Sequence, residues 1–376
     1  MVYKFLRIIV KWLLKVYFRK IYLTGAENIP KEGPVLITAN HPDGFTEPLL
    51  LACFLKRPLH FLVRGDLFKN PFLEPVLVST NQIPIFRSKD GFSNLRNNEK
   101  SLEKVVNLLS KGIALLVFAE GSTKLVKRIR PIQKGTAKIA FQTLEQHPGL
   151  PLQLVPVSLY YTEQVTFRSE VIISIGEPIS INDYFEDENV NTAKNINKIK
   201  ELTEEKMKTL MPSIGDKLIR KAEKFAPFAY ANSSYQVFPV LDNNPLRKKE
   251  EDQFLAKVVN NEFSDIPSRK YFYFDAWSIV LIIPAIIGIM ANAIPFFLTK
   301  YLADHLSNAI VFLNAIRIVV GLILFLFYFF ILIVLSIVVG LPWYLLTAIS
   351  ILFGIVFLIY ESINYKSYLK ITKQVL

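Results

Sequence analysis

One histidine lies in a segment that could support acid–base chemistry, Asn40-His41-Pro42-Asp43-Gly44-Phe45-Thr46-Glu47-Pro48. The segment follows a predicted strand and precedes a predicted helix, a position where catalytic side chains are often exposed. A helix that begins between His41 and Glu47 could return the Glu47 carboxylate to the imidazole. A general base needs a pKa near the working pH and a partner that fixes its tautomer, and this pair could supply both. Taken alone, a histidine after a strand is more often structural.

Positive charge follows two further predicted strands. Arg87 ends the segment Gln82-Ile83-Pro84-Ile85-Phe86-Arg87. The segment Val117-Phe118-Ala119-Glu120-Gly121-Ser122 ends in a glycine turn, which is followed by Lys124, Lys127, Arg128 and Arg130. Arginine and lysine bind phosphate through charge-assisted hydrogen bonds, so these residues could form a phosphate-binding site. For the run from Lys124 to Arg130, a solvated loop is the alternative.

The elements that must position these residues alternate between short apolar runs and helical stretches. The strand candidates are Val35–Thr38, Leu59–Val63, Ile83–Phe86, Ala114–Phe118, Leu154–Tyr161 and Val171–Ile175. The helix candidates are Glu47–Leu55, Asn94–Lys111 and Lys134–Gln146. This alternation predicts an α/β domain over residues 21–185, a sheet flanked by helices.

The chain on either side of this domain has a different composition. Residues 1–20 place apolar side chains at helical spacing among lysines and arginines, which favours an amphipathic helix in the membrane interface. A helix packed on the domain, with lysines that extend to water, is the alternative. Residues 186–272 predict a helical extension, with helices at Asn195–Leu210 and Pro245–Asn261.

Residues 273–376 predict a membrane domain. Three apolar segments, Trp277–Phe297, Val319–Val339 and Leu341–Tyr360, are near the length of about 20 residues that crosses a bilayer. Pro284 and Pro295 interrupt the first, so two spans plus a re-entrant or interfacial segment are favoured and three remain open. The tail after Tyr360 carries Lys366, Lys370 and Lys373 against Glu361, which favours the cytoplasmic side.

The net charge and the Cys and His content limit which binding partners, disulfide bonds and metal sites can be expected. The net charge of +12 fits nucleic acid, acidic small molecules or a membrane surface, and the apolar segments favour a phospholipid membrane. No zinc-finger spacing or basic region of the nucleic-acid type is present, so no nucleic-acid partner is expected. Cys53, the only cysteine, excludes a disulfide within the chain. His60, His147 and His305 lack ligand spacing, so no metal is expected.

The order of four segments resembles the glycerolipid acyltransferase superfamily, which includes glycerol-3-phosphate and 1-acylglycerol-3-phosphate (lysophosphatidate) acyltransferases. The Asn-His-Pro block at 40–48 is similar to the first motif, which carries the catalytic histidine and an acid. Ile85-Phe86-Arg87, Phe118-Ala119-Glu120-Gly121 and Val155-Pro156-Val157 are similar to the second, third and fourth motifs. Lys134-Gly135-Thr136-Ala137 also resembles an element that follows the third motif.

The resemblance implies acyl transfer in phospholipid biosynthesis. His41 is the implied general base and Glu47 its acid partner. The donor would be a fatty acyl thioester of coenzyme A or acyl carrier protein, acting as co-substrate without a bound cofactor. A cytosolic donor would place the catalytic domain on the cytoplasmic side. The residues implied in substrate binding are Arg87, Glu120, Gly121, Ser122, Lys124, Arg128 and Lys134.

The sequence departs from the common pattern at three positions. The acid follows the histidine after five residues instead of four, and it is Glu47, as in a subset of the superfamily that uses aspartate there. Asp43 is a competing acid, but it is too close in sequence to reach the ring edge. Ala119 replaces a usual proline, and Thr123 stands where many members have arginine.

Two rival functions follow from these features. A similar histidine–acid pair could activate water in a lipid hydrolase, although no Gly-x-Ser-x-Gly elbow is present. The departures could instead mark a catalytically weakened lipid-binding or scaffold protein of the membrane. For a transport role, Asn314 and Arg317 are the main polar candidates within the apolar segments.

Overall fold

The computed structural model describes residues 2–86, 95–184, 193–211 and 276–375. The described helices are α1 (Val2–Tyr17), α2 (Thr46–Phe54), α3 (Glu74–Ser79), α4 (Leu95–Ser110), α5 (Gly135–Gln146), α6 (Ala193–Thr209), α7 (Ala276–Leu306), α8 (Leu313–Val338) and α9 (Leu345–Val375). The described strands are β1 (Lys20–Thr24), β2 (Val35–Ala39), β3 (Leu59–Arg64), β4 (Gln82–Ile85), β5 (Ala114–Phe118), β6 (Gln153–Tyr161), β7 (Glu170–Ile175) and β8 (Ile179–Ser180).

The strands form one mixed sheet in the order β1-β7-β6-β2-β5-β3-β4, and β8 pairs with β6. β2 lies at its centre, parallel to β5 on one side and to β6 on the other. β3 and β4 continue the parallel pairing, whereas β6 and β7 are antiparallel. The predicted α/β fold, a sheet flanked by helices, is therefore confirmed.

The core has two apolar layers, one on each face of the sheet. α1 and α2 contribute Leu14, Tyr17, Leu50 and Leu51 to one layer. α4 and α5 contribute Val105, Leu109, Phe141 and Leu144 to the other. All five residues of β2 are buried, as expected for a parallel strand covered on both faces.

The predicted strands and helices of this domain all form, within one or two residues of the predicted ends. The sequence prediction missed β1, β8 and the short helix α3. β1 lies directly after α1 and pairs in parallel with β7, a partner about 150 positions away in sequence. The helix predicted at Asn195–Leu210 corresponds to α6, and the one predicted at Pro245–Asn261 lies outside the described residues.

In the part of the chain that the structure describes, three helices are long and apolar enough to cross a membrane, over Ala276–Leu306, Ile310–Val338 and Leu345–Tyr365. The first apolar segment, where the sequence favours a re-entrant or interfacial segment, is a continuous helix of 31 residues despite Pro284 and Pro295. Its length and composition fit the alternative of three spans, and the number of spans stays a prediction. Membrane helices tolerate proline where neighbouring helices support the backbone. The neighbouring helix α9 gives α7 such support. A Cβ added at Gly288 would lie only 2.1 Å from the Phe353 carbonyl oxygen, so the backbones of α7 and α9 are in direct contact.

Candidate active site

The site lies where the carboxyl ends of the central strands meet. Ala39 and Phe118, the last residues of β2 and β5, are direct partners in the parallel pairing. His41 and Glu120 each follow two residues later, so the topology brings them together. Ligand sites in open α/β sheets commonly form outside the carboxyl ends of the strands.

Asn40 fixes the chain as it leaves β2. Its carboxamide donates to the Leu159 carbonyl oxygen (3.0 Å) and accepts from the Leu159 N–H (2.8 Å). The side chain is buried, and both of its polar atoms bond to the β6 backbone. The direction in which the chain presents His41 is therefore set by the neighbouring strand.

His41 and Glu47 make the predicted contact. His41 Nδ1 lies 3.0 Å from Glu47 Oε2, and the Glu47 side chain is completely buried. Glu47 lies in the first turn of α2, so the helix returns its carboxylate to the imidazole. Nε2 has no hydrogen-bond partner among the described residues, and a small part of the His41 side chain (16%) is exposed. The geometry leaves Nε2 available as a base.

Two further donors hold the Glu47 carboxylate. The Asp43 N–H donates to Oε1 (2.6 Å), and the Tyr161 hydroxyl donates to the same atom (3.0 Å). Burial raises the pKa of Glu47 well above its ordinary value, and the hydrogen bonds from Tyr161 and the Asp43 N–H oppose this rise because they favour the carboxylate. The carboxylate in turn favours the tautomer with hydrogen on Nδ1 and a lone pair on Nε2.

The imidazole itself has a lowered pKa. Its ring stacks on Phe118, with centroids 4.0 Å apart and planes at 12°. Burial lowers the pKa of His41 from 6.5 to about 4, against the opposing effects of Glu120 and Asp43. His41 is therefore neutral at pH 7, as a general base must be before it acts.

Glu120 is engaged with the protein. It accepts from Arg130 through the N–H (2.8 Å), Nε (3.0 Å) and a terminal nitrogen (2.6 Å), and from the His41 N–H (3.2 Å). Arg130 also donates to the Ser122 hydroxyl (2.9 Å). These contacts describe a positioning role for Glu120, and its contact with substrate stays a prediction.

The predicted cationic residues lie on the segment between β5 and α5. The Lys124 N–H donates to the His41 carbonyl oxygen (3.3 Å), which places this segment beside the base. Lys124, Arg128 and Lys134 are exposed, and Lys134 immediately precedes α5. Gly121 has a φ of 69°, a left-handed conformation that glycine adopts readily.

Arg87 lies outside the described residues. The preceding residue, Phe86, is held by Asn98 of α4, whose side chain bonds to the Phe86 N–H (2.7 Å) and carbonyl oxygen. β4 is parallel to its neighbour β3, so its carboxyl end lies at the same edge of the sheet as that of β2.

The structure gives three residues contacts at the site that the sequence did not predict. Tyr161 ends β6 and binds Glu47, whereas Arg130 binds Glu120. Asn314 of α8 binds Asp43. The position of Tyr161 after the Val155-Pro156-Val157 segment could have suggested it, because the carboxyl ends of parallel neighbours meet. No sequence signal joins Asn314 to Asp43.

Within the described ranges, no group of three or more His, Cys, Asp or Glu residues could hold a metal ion.

Comparisons with known proteins show which family the sequence is similar to. Residues 20–160 match the family model described as Acyltransferase. The chain is 26% identical over 212 residues to a 1-acyl-sn-glycerol-3-phosphate acyltransferase of Borreliella burgdorferi, covering 56% of this chain and 74% of that protein. It is 30% identical over 140 residues to a probable 1-acyl-sn-glycerol-3-phosphate acyltransferase of Mycoplasma pneumoniae, covering 36% of this chain and 49% of that protein.

A solved structure is also similar in part. It is the crystal structure of the 1-acyl-sn-glycerophosphate acyltransferase PlsC from Thermotoga maritima, at 18% identity and a TM-score of 0.41. The likeness covers 57% of this chain and 83% of that chain. By the match to the family model, residues 20–160 form an acyltransferase domain, and the sequence relatives and the motifs support the glycerolipid acyltransferase superfamily.

Proposed function

We propose that this protein transfers a fatty acyl group from an acyl thioester to a hydroxyl of glycerol-3-phosphate or 1-acylglycerol-3-phosphate. The observation that carries the proposal is the histidine at the strand ends, with Nδ1 held by a buried glutamate and Nε2 open to a substrate. The names of the sequence relatives support the acceptor class.

In the proposed reaction, His41 Nε2 removes the proton from the acceptor hydroxyl as its oxygen attacks the thioester carbonyl carbon. The resulting tetrahedral oxyanion collapses and the carbon–sulfur bond breaks. The leaving thiolate takes the proton from the imidazolium. Glu47 stabilises the imidazolium and keeps the ring oriented, as a carboxylate does in other histidine dyads. The acyl group passes directly to the acceptor.

Phosphate binding is proposed for the cations around the Gly121 turn. Lys124 and Arg128 lie on the segment that bonds to the main chain of His41, and Lys134 precedes the N-terminus of α5. A helix N-terminus favours an anion, which adds to the charge of the lysine. Held there, a phosphate would orient the hydroxyl toward Nε2. Arg87 is proposed as a further contact.

The donor is proposed to be acyl-CoA or acyl carrier protein, and the catalytic domain to lie on the cytoplasmic side, where these carriers occur. The apolar helices support association with a phospholipid membrane. In this arrangement the acyl chains of donor and product would enter the bilayer beside the domain.

The general base is tested by His41→Ala in purified protein, assayed with an acyl-CoA and each acceptor. Loss of a general base typically lowers the rate by about 10²–10⁴-fold, and we expect a decrease in kcat of that size. The matched control is His147→Ala, because His147 lies beyond the C-terminal end of α5, before β6 begins. Wild-type turnover in His41→Ala would end the assignment.

The acceptor is identified by incubating membranes with an acyl-CoA and either labelled glycerol-3-phosphate or labelled lysophosphatidate. Extraction and separation of the lipids shows which acceptor gains an acyl chain. A lipid hydrolase would release free fatty acid at the same rate without an acceptor. The proposed transferase should form product only when an acceptor hydroxyl is present.

A further inference from the structure

A buried polar chain joins the catalytic loop to the membrane helices. Asn314, the second residue of α8, is only 2% exposed. Its Nδ2 donates to Asp43 Oδ2 (2.5 Å), and its Oδ1 accepts from the Tyr17 hydroxyl (2.6 Å). A buried carboxamide in an apolar segment is costly unless paired, so both partners stabilise its position.

The same part of α8 and the turn before it cover the rest of this loop. The Gly44 N–H donates to the Val311 carbonyl oxygen (2.8 Å). A Cβ at Gly44 would lie 2.3 Å from the Phe312 ring, so only glycine permits this approach. The rings of Phe45 and Phe312 are also in contact, with centroids 5.6 Å apart.

These contacts act on the residues between the base and its acid. Asp43 binds Asn314 through its side chain, while its N–H donates to Glu47 Oε1 (2.6 Å). Glu47 in turn holds His41 Nδ1. Displacement of Asp43 would therefore remove one of the hydrogen bonds that orient the glutamate.

We infer that Asn314 is a positioning residue for the His41–Glu47 pair, and that the membrane helix α8 completes the active site of the acyltransferase domain. Asn314 acts through Asp43 and does not touch the reacting atoms. The kinetic part of the inference rests on the proposed function. The inference assigns the membrane domain a direct part in forming the catalytic loop, beyond anchoring.

The first test compares Asn314→Leu with Asn292→Leu. Asn292 is the matched control because it also bonds within the membrane helices, to Ser350 and to the Gly288 carbonyl oxygen, away from Asp43. We expect Asn314→Leu to lower kcat about tenfold or more and to change KM for each substrate by less than about threefold. Asn292→Leu should keep kcat within about twofold of wild type. Equal kcat values in the two variants would overturn the inference.

The second test exchanges the two polar partners. Asn314→Asp removes the N–H donor that binds Asp43 Oδ2 and places a second acid against it, so kcat should fall in assays at pH 8, above the raised pKa of Asp43 of about 7. Adding Asp43→Asn restores one carboxamide and one carboxylate, so the double variant should recover most of the lost kcat. No recovery would show that Asn314 does not act through Asp43. This comparison also covers the case in which Asn314→Leu does not fold.

Hydrogen exchange of the full chain provides a readout that does not depend on activity. The amide protons of peptides covering residues 41–47 should exchange faster in Asn314→Leu than in wild type or Asn292→Leu. The reason is that the Asp43 N–H is hydrogen-bonded to Glu47 and the Gly44 N–H to the Val311 carbonyl oxygen. Unchanged exchange would contradict the inference. If wild-type protein showed no acyl transfer, the proposed function would fail, but this measurement would still test the role of Asn314.

Discussion

The pKa of one side chain decides the pH range in which the proposed base can act. Burial lowers the pKa of His41 to about 4, so the imidazole stays unprotonated well below its ordinary value of 6.5. A base works in the unprotonated form, and activity should therefore decline only as the pH falls toward this lowered pKa. We expect kcat/KM, which reports the groups of the free enzyme, to have its acid limb below 6.5 when it is measured between pH 4.5 and about 9.

A second buried acid provides the control for this profile. Burial raises the pKa of Asp43 to about 7, with a further contribution from Glu47. If activity falls on the acid side with a midpoint near pH 7, and this fall disappears in Asp43→Asn, then the group that titrates is Asp43. Burial raises the pKa of Glu47 as well, so a limb at or above 6.5 that persists in both Asp43→Asn and Glu47→Gln would contradict the lowered pKa of His41. As a control, the enzyme is incubated at each pH and then assayed at pH 7.5. Activity that is still lost at pH 7.5 indicates unfolding, whereas activity that returns indicates titration.

At the scale of the element, α1 has two different faces. Leu14 and Tyr17 are buried in the domain, whereas Phe5, Ile8 and Trp12 form an exposed apolar stripe at helical spacing. The buried face fits the interpretation that the helix packs on the domain, and the exposed face fits the interpretation that it lies in the membrane interface. The exposed stripe predicts that α1 lies in the membrane interface.

Trp12 reports this placement, because its side chain is 66% exposed. In a variant with Trp277→Phe and Trp343→Phe, Trp12 is the remaining tryptophan. We expect its fluorescence in reconstituted vesicles to be quenched more by lipids brominated near the headgroup end of the acyl chain than by those brominated near the chain terminus. Strong quenching by aqueous acrylamide without quenching by brominated lipid would contradict an interfacial α1.

At the scale of the whole molecule, an ion cluster joins the last helix to the acyltransferase domain. Glu361 of α9 accepts from Arg19 Nε (3.1 Å) and from Arg168 Nε (3.1 Å). Arg168 also donates to the Ser362 hydroxyl (2.6 Å). The three charged side chains are 4%, 8% and 17% exposed for Arg19, Arg168 and Glu361, so these charges are largely removed from water.

Removal of the shared carboxylate should destabilise this junction. Glu361→Gln removes the carboxylate that both buried guanidinium groups bind, which typically costs roughly 2–5 kcal/mol. We expect a Tm several degrees lower in detergent. The control is Asp66→Asn, which breaks the exposed pair of Arg64 and Asp66 (54% and 47% exposed) and should cost at most about 1 kcal/mol. Equal Tm values for Glu361→Gln and wild type would show that the cluster does not hold the two parts together.

The sequence by itself determined most of the domain and the central pair. Hydrophobic periodicity predicted the six strands that became β2 to β7, because each pattern depends on neighbouring residues. His41 and Glu47 could be paired for the same reason, since one helical turn near the strand end brings them within hydrogen-bonding distance. The short strand β1 was missed because it exists only through its pairing with the distant β7.

Only the tertiary structure decided how this pair is held. Tyr161 lies 114 positions from Glu47, Glu120 lies 79 from His41, and Asn314 lies 271 from Asp43. Such contacts depend on which strands and helices become neighbours, and the spacing of residues within one segment does not predict this. The structure therefore surrounds the histidine predicted from a nine-residue segment with partners from β6, from the turn after β5 and from a membrane helix.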